Sequence, residues 1–200
     1  MMLKGRALVL LPTRELALQV EETLIKVGKP IGLRTAVLIG GASMRPQLDA
    51  LKRDPHVIIA TPGRLNDHLE QRTASLSRIS IFVLDEADRM LDMGFWPQVQ
   101  KIIAFVPKDR QTMLFSATLS PDIMKLVTHH MKLPVRIEVA PPGTTVERVS
   151  QEFFIVRKED KMRLLEKVLS DYSGSTLVFS RTKHGAKKIM RGIKAMGHSA

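Results

Sequence analysis

The feature that most constrains this chain is an uninterrupted apolar run that ends in a group of acidic residues. Residues 81–84 read IFVL, and Asp85, Glu86 and Asp88 follow directly. A short apolar run without alternation is typical of a strand buried on both faces of a parallel sheet. Because open α/β sheets hold their ligands outside the carboxyl ends of the strands, we expect these carboxylates at a ligand crevice.

The acidic group after this strand has two interpretations. Two carboxylates at a strand end can hold Mg2+ and polarise a water molecule, as hydrolysis of a nucleoside triphosphate requires. The alternative is an acidic helix N-terminus, with Asp85 as the cap and with Glu86 and Asp88 favoured by the helix dipole. These few residues leave both interpretations open, so the rest of the chain has to distinguish them.

Strand-like and helix-like segments alternate along the chain. The predicted strands of its first part are residues 7–11, 34–39, 56–60, 79–84, 111–115 and 135–139. The predicted helices are residues 14–27, 44–52, 62–71, 86–91, 97–106 and 121–131. Short strands between helices of this length indicate an α/β fold, with a parallel sheet covered by helices on both faces.

A segment with proline, glycine and threonine, residues 140–148, is typical of a linker. It separates a first domain, residues 1–139, from a second α/β unit, residues 149–200. In the second unit we predict strands at residues 149–156 and 176–180 and helices at residues 159–169 and 183–196. So few strands cannot bury a core alone, so we expect the second unit to be the truncated start of a domain.

The composition disfavours several classes of protein. The absence of cysteine removes disulfides and thiolate chemistry and fits a reducing, cytoplasmic compartment. The apolar run at residues 7–11 is too short to span a bilayer and no cleavage site follows it, so we expect neither a membrane protein nor a secreted one. The net charge of +11 points to a polyanionic partner. The charge is uneven, because residues 155–200 hold 11 of the 31 Lys and Arg residues but only 4 of the 20 Asp and Glu residues.

Three other strand ends carry residues suited to bind phosphate. They combine hydroxyl groups or exposed backbone amides with a turn or a helix start, and two of them add an arginine. The residues, here called the phosphate track, are Pro12, Thr13, Arg14, Gly40, Gly41, Thr61, Pro62, Gly63 and Arg64. Each group also has a plain structural interpretation, as a helix cap or a glycine turn. Since all three follow strands on the edge that carries the acids, together they predict a path for a repeating phosphate chain.

Taken together, the motifs occur in a recognisable order. They read ALVLLPTRELALQ, GG, ATPGRL, VLDEADRMLDMGF and LFSATL, and the stretch TLVFSRTKHGA follows in the second unit. Their order and spacing resemble the DEAD-box ATP-dependent RNA helicases, and the last stretch resembles the first motif of the second domain in bacterial-type members. The resemblance covers nearly the whole chain. It implies a RecA-like parallel sheet sandwiched by helices, followed by the start of a second RecA-like domain.

The resemblance also implies roles for individual residues. Asp85 would hold Mg2+, largely through water, and Glu86 would orient and deprotonate the water that attacks the γ-phosphate of ATP. Asp88 would bond to Ser116 and Thr118 and so link the nucleotide site to closure of the two domains. The phosphate track would hold RNA by its phosphates and 2′-hydroxyl groups without reading its bases. The implied partner is RNA, the implied cofactors are ATP and Mg2+, and the implied activity is local unwinding of RNA duplexes.

The sequence also departs from the family pattern. The family uses a phosphate loop of the Gly-Lys-Thr type, a glutamine motif that reads adenine, and arginine-rich motifs in the second domain; none of these occurs in the 200 residues. We therefore expect a truncated chain that by itself neither binds ATP tightly nor hydrolyses it. The alternative function is a truncated RNA-binding module or pseudo-enzyme without turnover. A DNA helicase of the same superfamily is disfavoured by resemblance alone, through the DEAD and SAT motifs.

Three further expectations concern surfaces. Without a phosphate-loop strand beside it, the strand at residues 111–115 is expected to have an unpaired edge, which predicts a marginally stable, aggregation-prone monomer. His129 and His130 are interpreted as exposed helix surface, because adjacent histidines on a helix point in different directions and do not form a metal site. The basic residues between His184 and Lys194 either contact nucleic acid or form a solvated helix face.

Overall fold

The computed structural model describes residues 5–138 and 150–200, which belong to two compact units, Met1–Pro142 and Gly143–Ala200. The predicted linker, residues 140–148, lies outside the described residues, so its bounds stay a prediction. None of the helices in the described part of the chain has the length and apolar character needed to span a bilayer.

The first unit is built on a parallel sheet of five strands. These are β1 (Arg6–Leu10), β2 (Thr35–Leu38), β3 (Val57–Ala60), β4 (Ile79–Leu84) and β5 (Gln111–Leu114). Their spatial order is β2-β3-β1-β4-β5, and every neighbouring pair is parallel. Helical segments connect the strands, and the predicted α/β class is confirmed.

Several helices of the first unit begin at capping signals in the sequence. They are α1 (Arg14–Gly28), α2 (Met44–Lys52), α3 (Pro62–Glu70), α4 (Ala87–Asp92), α5 (Trp96–Phe105) and α6 (Pro121–His130), with a short 3-10 helix at Lys29–Ile31. The Thr13 hydroxyl caps α1 by accepting the backbone N–H of Leu16, and the Ser120 hydroxyl caps α6 in the same way. Proline occupies the first position of both α3 and α6, where its missing N–H costs no hydrogen bond.

The two faces of the sheet have separate hydrophobic clusters, because successive side chains of a strand point to opposite faces. On one face, Phe82 and Leu84 are fully buried among residues of α3, α5 and α6. On the other face, Ala17 of α1 is buried against β2 and β3. Ile81 and Val83 of β4 are only half-buried. The apolar run is therefore fully buried on one face only, and the prediction of burial on both faces was wrong.

The register of the sheet brings the carboxyl ends of all five strands level. Leu10 lies opposite Ala60 and Leu84, Ala60 lies opposite Leu38, and Leu84 lies opposite Leu114. The hydrogen-bonded ladder continues one residue further at each pair of strands. The backbone N–H groups of Thr61, Leu11, Asp85 and Phe115 donate to the carbonyls of Leu38, Ala60, Leu10 and Leu84, respectively, at 2.8–3.0 Å. The motifs that follow these strands consequently leave the sheet along one edge.

The predicted sixth strand, residues 135–139, does not form in the described residues. Residues 134–138 are irregular, and residue 139 lies outside the described part of the chain. Val135 and Ile137 are 86% and 84% exposed. A strand needs a neighbour for its backbone groups, and β5 pairs with β4 alone within the described sheet, which agrees with the expected open edge.

The described residues of the second unit form two helices, α7 (Lys161–Asp171) and α8 (Lys183–Ala195), which contact each other. Both predicted strands of this unit were wrong, since residues 150–156 and 176–180 are irregular and residue 149 lies outside the described part. Phe153 and Phe179 are 90% and 86% exposed. The local sequence has strand propensity, but the described residues of this unit offer no partner strand.

Candidate functional site

Asp85 lies at the carboxyl end of β4, between the ends of β1 and β5. Its backbone N–H donates to the Leu10 carbonyl at 3.0 Å, which extends the ladder to β1. Its Oδ1 accepts the backbone N–H of Glu86 at 3.0 Å. Among the described residues no donor bonds to Oδ2, so one carboxylate oxygen of Asp85 is available to a ligand.

Glu86 occupies the turn between β4 and α4 and has an unusual backbone conformation. Its φ and ψ are 50° and 51°, in the left-handed region, which costs a non-glycine residue roughly 1–2 kcal/mol. Its Oε2 accepts a hydrogen bond from Arg89 Nη1 at 3.0 Å in an exposed ion pair. Strain of this kind is concentrated at functional sites. No side-chain cap bond forms at the start of α4, so the helix-cap interpretation of the acidic group gains no support from this turn.

Asp88 connects α4 to the loop after β5. Its Oδ2 accepts the backbone N–H and the hydroxyl of Thr118 at 2.9 and 3.0 Å. Its own N–H donates to Ser116 Oγ at 3.3 Å, and the Ser116 hydroxyl donates to the Thr118 carbonyl at 2.7 Å. Partial burial opposes ionisation of Asp88, but hydrogen bonds from Thr118, the N–H of Arg89 and Ser116 outweigh it and lower the pKa of Asp88. These are the contacts between Asp88, Ser116 and Thr118 that the family resemblance implies.

The acids line an open cavity of about 920 Å³ that extends along β5 to residues 134–138. In the described part of the chain, no group of three or more His, Cys, Asp or Glu side chains is arranged to hold a metal. Mg2+ does not require such a cage, because it keeps several waters and commonly binds one or two carboxylates together with substrate phosphates. The available oxygen of Asp85 at the wall of this cavity fits a hydrated Mg2+ of that kind.

Arg14 and Gly41 bring two segments of the phosphate track together. The Arg14 guanidinium lies so close to Gly41 that a β-carbon on residue 41 would overlap it. Gly41 has a φ of 71°, which glycine adopts without a steric penalty. The pair joins the loop after β2 to the first turn of α1, and both residues are exposed.

Arg64 joins the same loop to α3. Its Nη1 donates to the Ala42 carbonyl at 3.0 Å and approaches Met44 Sδ at 3.8 Å. Its Nε lies 3.4 Å from Asp67 Oδ2, which satisfies the distance of an ion pair but not the geometry of a hydrogen bond. The Arg64 side chain is only 12% exposed. Arg64 is therefore largely part of the scaffold of the track, and only a small part of its surface faces solvent.

The remaining track residues lie in turns or at the starts of helices. Pro12 is buried and Thr13 uses its hydroxyl to cap α1, so the capping interpretation of Thr13 holds. Thr61 precedes α3 in an extended conformation and makes no side-chain cap bond. Pro62 is buried in the first turn of α3, and Gly63 is exposed there, with open space where a side chain would begin. Gly40 is half-buried after β2.

The prediction for the two adjacent histidines was half right. His129 is exposed, with Nδ1 2.7 Å from the Lys125 carbonyl. His130 is half-buried and packs edge-on against Trp96, with ring centroids 6.1 Å apart. The aromatic contact explains the burial of His130, which a helix considered alone does not reveal.

Sequence reasoning missed a group of buried polar side chains next to the track. Gln47, Asn66 and His68 are at most 9% exposed. Asn66 Nδ2 donates to the carbonyls of Pro62 and Gln98 and so fixes α3 to α5. The available signal lay in α3, where Asn66 and His68 are two of the three polar residues between Leu65 and Leu69, at positions where the helical pattern predicts the core.

Comparison with known protein families gives a match to the DEAD/DEAH box helicase model over residues 2–126. The ATP-dependent rRNA helicase RRP3 of Mycosarcoma maydis is 41% identical over 196 residues, which are 97% of this chain and 35% of that protein. The ATP-dependent RNA helicase DbpA of Bacillus subtilis is 41% identical over 98% of this chain and 41% of that protein. The chain thus spans between a third and a half of the length of these relatives.

A solved structure gives the same result at the level of the fold. The crystal structure of a DEAD box protein from the hyperthermophile Methanococcus jannaschii has a TM-score of 0.66 and 33% sequence identity to this chain. The match covers 96% of this chain and 52% of that chain.

Proposed function

Because this chain belongs to the DEAD/DEAH box helicase family, we propose that its protein is an ATP-dependent RNA helicase that separates RNA duplexes locally as it hydrolyses ATP. Its first unit has the RecA-like α/β fold. The observation that carries the proposal is the common edge of the sheet, where the acids after β4 lie level with the three segments of the phosphate track. Such an edge suits a nucleotide on one side and a phosphate backbone on the other.

The acids supply the hydrolytic part of this proposal. Asp85 would hold Mg2+ mainly through water, and the bound ion would neutralise charge on the phosphate oxygens. Glu86, held in its turn by a strained backbone, would accept the proton of the attacking water. For this its carboxylate would exchange the exposed contact to Arg89 for the water, a small cost for a surface ion pair.

Asp88 would couple nucleotide binding to the conformation of the loop after β5. Its carboxylate holds both the N–H and the hydroxyl of Thr118, and its N–H contacts Ser116. A displacement of α4 on nucleotide binding would therefore move the loop with it. The hydrogen bonds of Asp88 to Thr118 and Ser116 support this coupling role, in addition to their contribution to local stability.

The track would bind RNA through phosphates and 2′-hydroxyl groups. Exposed Arg14 supplies positive charge, and the exposed Gly41 and Gly63 allow close approach of a backbone. No aromatic side chain belongs to the track, so base stacking is not part of the proposed mode. Binding of this kind depends strongly on salt and weakly on sequence.

For the 200-residue polypeptide itself we propose RNA binding without turnover. Phosphoryl transfer needs a phosphate cradle and charge-stabilising arginines in addition to a water-activating acid. The 200 residues contain no Gly-Lys-Ser/Thr loop that could serve as the cradle. Activity is consequently proposed for a protein that also contains the phosphate loop and the arginine-rich motifs, and binding alone for this polypeptide.

Two measurements test these proposals. The polypeptide is titrated with a mixed-sequence single-stranded RNA and with DNA of the same sequence, by fluorescence anisotropy at several salt concentrations. We expect salt-dependent binding with a preference for RNA, whereas equal affinity for DNA or no binding contradicts the RNA proposal. In a protein that joins this chain to the phosphate loop and the arginine-rich motifs, we expect RNA-stimulated phosphate release that Glu86→Gln abolishes. Release by the 200-residue polypeptide that is lost in Glu86→Gln contradicts its proposed inactivity.

A further inference from the structure

The buried polar side chains of the described residues are concentrated beside two segments of the phosphate track. All four residues of this kind, Gln47, Thr61, Asn66 and His68, lie in α2, in α3 or directly before α3. Burying a polar group costs free energy unless it is hydrogen-bonded. A concentration of such groups therefore indicates a part of the core where a defined geometry matters more than apolar packing.

Gln47 holds the loop between β2 and α2 from the inside. Its Nε2 donates to the Ile39 carbonyl and to the Ser43 carbonyl, both at 3.1 Å. These carbonyls lie on either side of Gly40 and Gly41, so one side chain closes the loop. Gln47 is 5% exposed and its two N–H groups are both used.

His68 of α3 is the hydrogen-bond partner of the Gln47 amide oxygen. Its Nε2 lies 3.3 Å from Gln47 Oε1, and its Nδ1 lies 2.8 Å from Thr73 Oγ1. Since Gln47 uses its N–H groups on the loop, its oxygen faces His68 and accepts the hydrogen of Nε2. In the neutral ring, Nδ1 is then an acceptor, and the Thr73 hydroxyl shares its one hydrogen between Nδ1 and the His68 carbonyl, which lies 3.1 Å away. Every polar atom of this buried pair has a partner.

The carbonyl groups around the glycine pair are held inward by side chains of two helices. Gln47 binds those of Ile39 and Ser43, and Arg64 binds that of Ala42. Among the described residues, no group accepts a hydrogen bond from the backbone N–H of Gly40 or Gly41. Three carbonyls that flank the glycine pair are thus occupied, while the N–H groups of both glycines remain available to an anion.

We propose that Gln47 and His68 are positioning residues for RNA binding. Through their buried bonds they hold the Gly40–Gly41 loop at a set distance from α3, so that the amides of the loop and the start of α3 receive the same stretch of sugar-phosphate backbone. Neither side chain touches the RNA. This inference rests on the proposed RNA-binding function of the phosphate track.

Four variants of the full 200-residue chain test the inference. Gln47→Leu removes the bonds to the loop, and His68→Leu removes the bond that orients the Gln47 amide. His68→Gln keeps an N–H donor near the position of Nε2 and is the conservative variant. Leu126→Ala in α6 is the matched control for destabilisation, because it leaves a cavity in the same core, away from the loop.

The primary readout is the salt dependence of RNA affinity. We expect Gln47→Leu and His68→Leu to weaken binding about tenfold, and to reduce the slope of log K against log salt by about 0.7, the value for one phosphate contact to a single strand. His68→Gln is expected to stay within about twofold of wild type. Leu126→Ala is expected to lower the melting temperature and to leave the affinity and slope of the folded fraction unchanged.

Each outcome decides between the possible roles. If Gln47→Leu changes stability but keeps the wild-type affinity and salt slope, the pair is merely structural and the inference is wrong. If His68→Gln loses as much RNA affinity as His68→Leu, the hydrogen bond to Gln47 does not explain the loss, and the inference is wrong. If the folded wild-type chain, with a protected His68 Nε2–H resonance in its NMR spectrum, does not bind RNA, the proposed function fails and the positioning role fails with it.

Discussion

Arg14 packs its guanidinium group against Gly41, so closely that a β-carbon on residue 41 would overlap Nη1. Gly41 also has a φ of 71°. The contact therefore depends on glycine for two reasons, the backbone conformation and the absence of a side chain. It also sets the position of the arginine that we propose to bind RNA phosphate, so the two residues act as one unit.

The first prediction concerns Gly41→Ala. The left-handed backbone is expected to destabilise the chain by about 1 kcal/mol, partly offset by reduced freedom of the unfolded state. The new methyl group is expected to displace the flexible end of Arg14 rather than the backbone, so RNA affinity falls together with its salt dependence. Thermal unfolding and RNA titrations at several salt concentrations measure both effects.

The control for this prediction is Gly32→Ala. Gly32 has a similar φ of 66° and nothing within 4 Å of a β-carbon, so it has the same backbone strain without a contact to Arg14. We expect similar destabilisation and unchanged RNA binding. Equal loss of RNA affinity in both variants would show that backbone strain, and not displacement of Arg14, is responsible.

The agreement between sequence and structure is best where local signals are strong. The bounds of α2 and β4 match their predictions, and β4 ends as predicted because the acids end the apolar run. The level strand ends also follow from sequence, since a parallel sheet aligns the residues after each strand. The Asp88 bridge was predicted only through the family resemblance.

The errors occur where structure depends on distant partners. Residues 135–138 and 176–180 have strand propensity, but their backbone groups find no neighbouring strand in the described part of the chain. Gln47 and His68 lie 21 residues apart in sequence on two different helices, so neither helix considered alone predicts the bond between them. The scaffold role of Arg64 was hidden for the same reason, because its partner lies in another loop.

The second prediction concerns Thr118→Val. The lowered pKa of Asp88 depends on donors that include the Thr118 hydroxyl, so removal of this hydroxyl should raise the pKa toward its usual value of about 3.9. In the wild type, the lowered pKa of Asp88 stabilises the fold at pH values above the pKa of this carboxyl in the unfolded state. This contribution is lost as the pH falls through the lower pKa of the folded state. Carbon-detected NMR titration of the Asp88 carboxyl measures the shift.

Thr128→Val is the control for the Thr118 substitution. The Thr128 hydroxyl donates only to carbonyls of its own helix, at 3.1 Å to Met124 and 2.9 Å to Lys125. The Thr128→Val substitution should therefore leave the pKa of Asp88 unchanged. An Asp88 pKa that also stays unchanged in Thr118→Val would mean that backbone donors alone hold the carboxylate.

The third prediction is a loss of stability in mild acid that depends on His68. Burial, and then the charge of Arg64, lower the pKa of His68, with Asp67 opposing. The unfolded state gains a proton near pH 6.5 while the folded state does not, so stability falls from about pH 7 toward the folded pKa, by at most about 1.4 kcal/mol per pH unit. Urea unfolding at a series of pH values measures this dependence.

His68→Gln is the comparison for the pH dependence, because glutamine does not titrate. The pKa values of His56 and His130 are also lowered by burial, so both proteins should lose some stability in acid. The variant should lose less than the wild type between pH 7 and pH 5. Identical pH profiles would mean that His68 does not resist protonation in the folded chain.

The fourth prediction concerns self-association at β5. This strand pairs only with β4 in the described sheet, and an unpaired apolar edge is a template for another chain. Met113→Lys places a charge at a half-buried position of this edge and should shift sedimentation toward the monomer. Met124→Lys, at an exposed position of α6, serves as the control. A wild-type chain that stays monomeric at about 100 µM and melts reversibly would contradict the prediction, because an accessible edge should then associate.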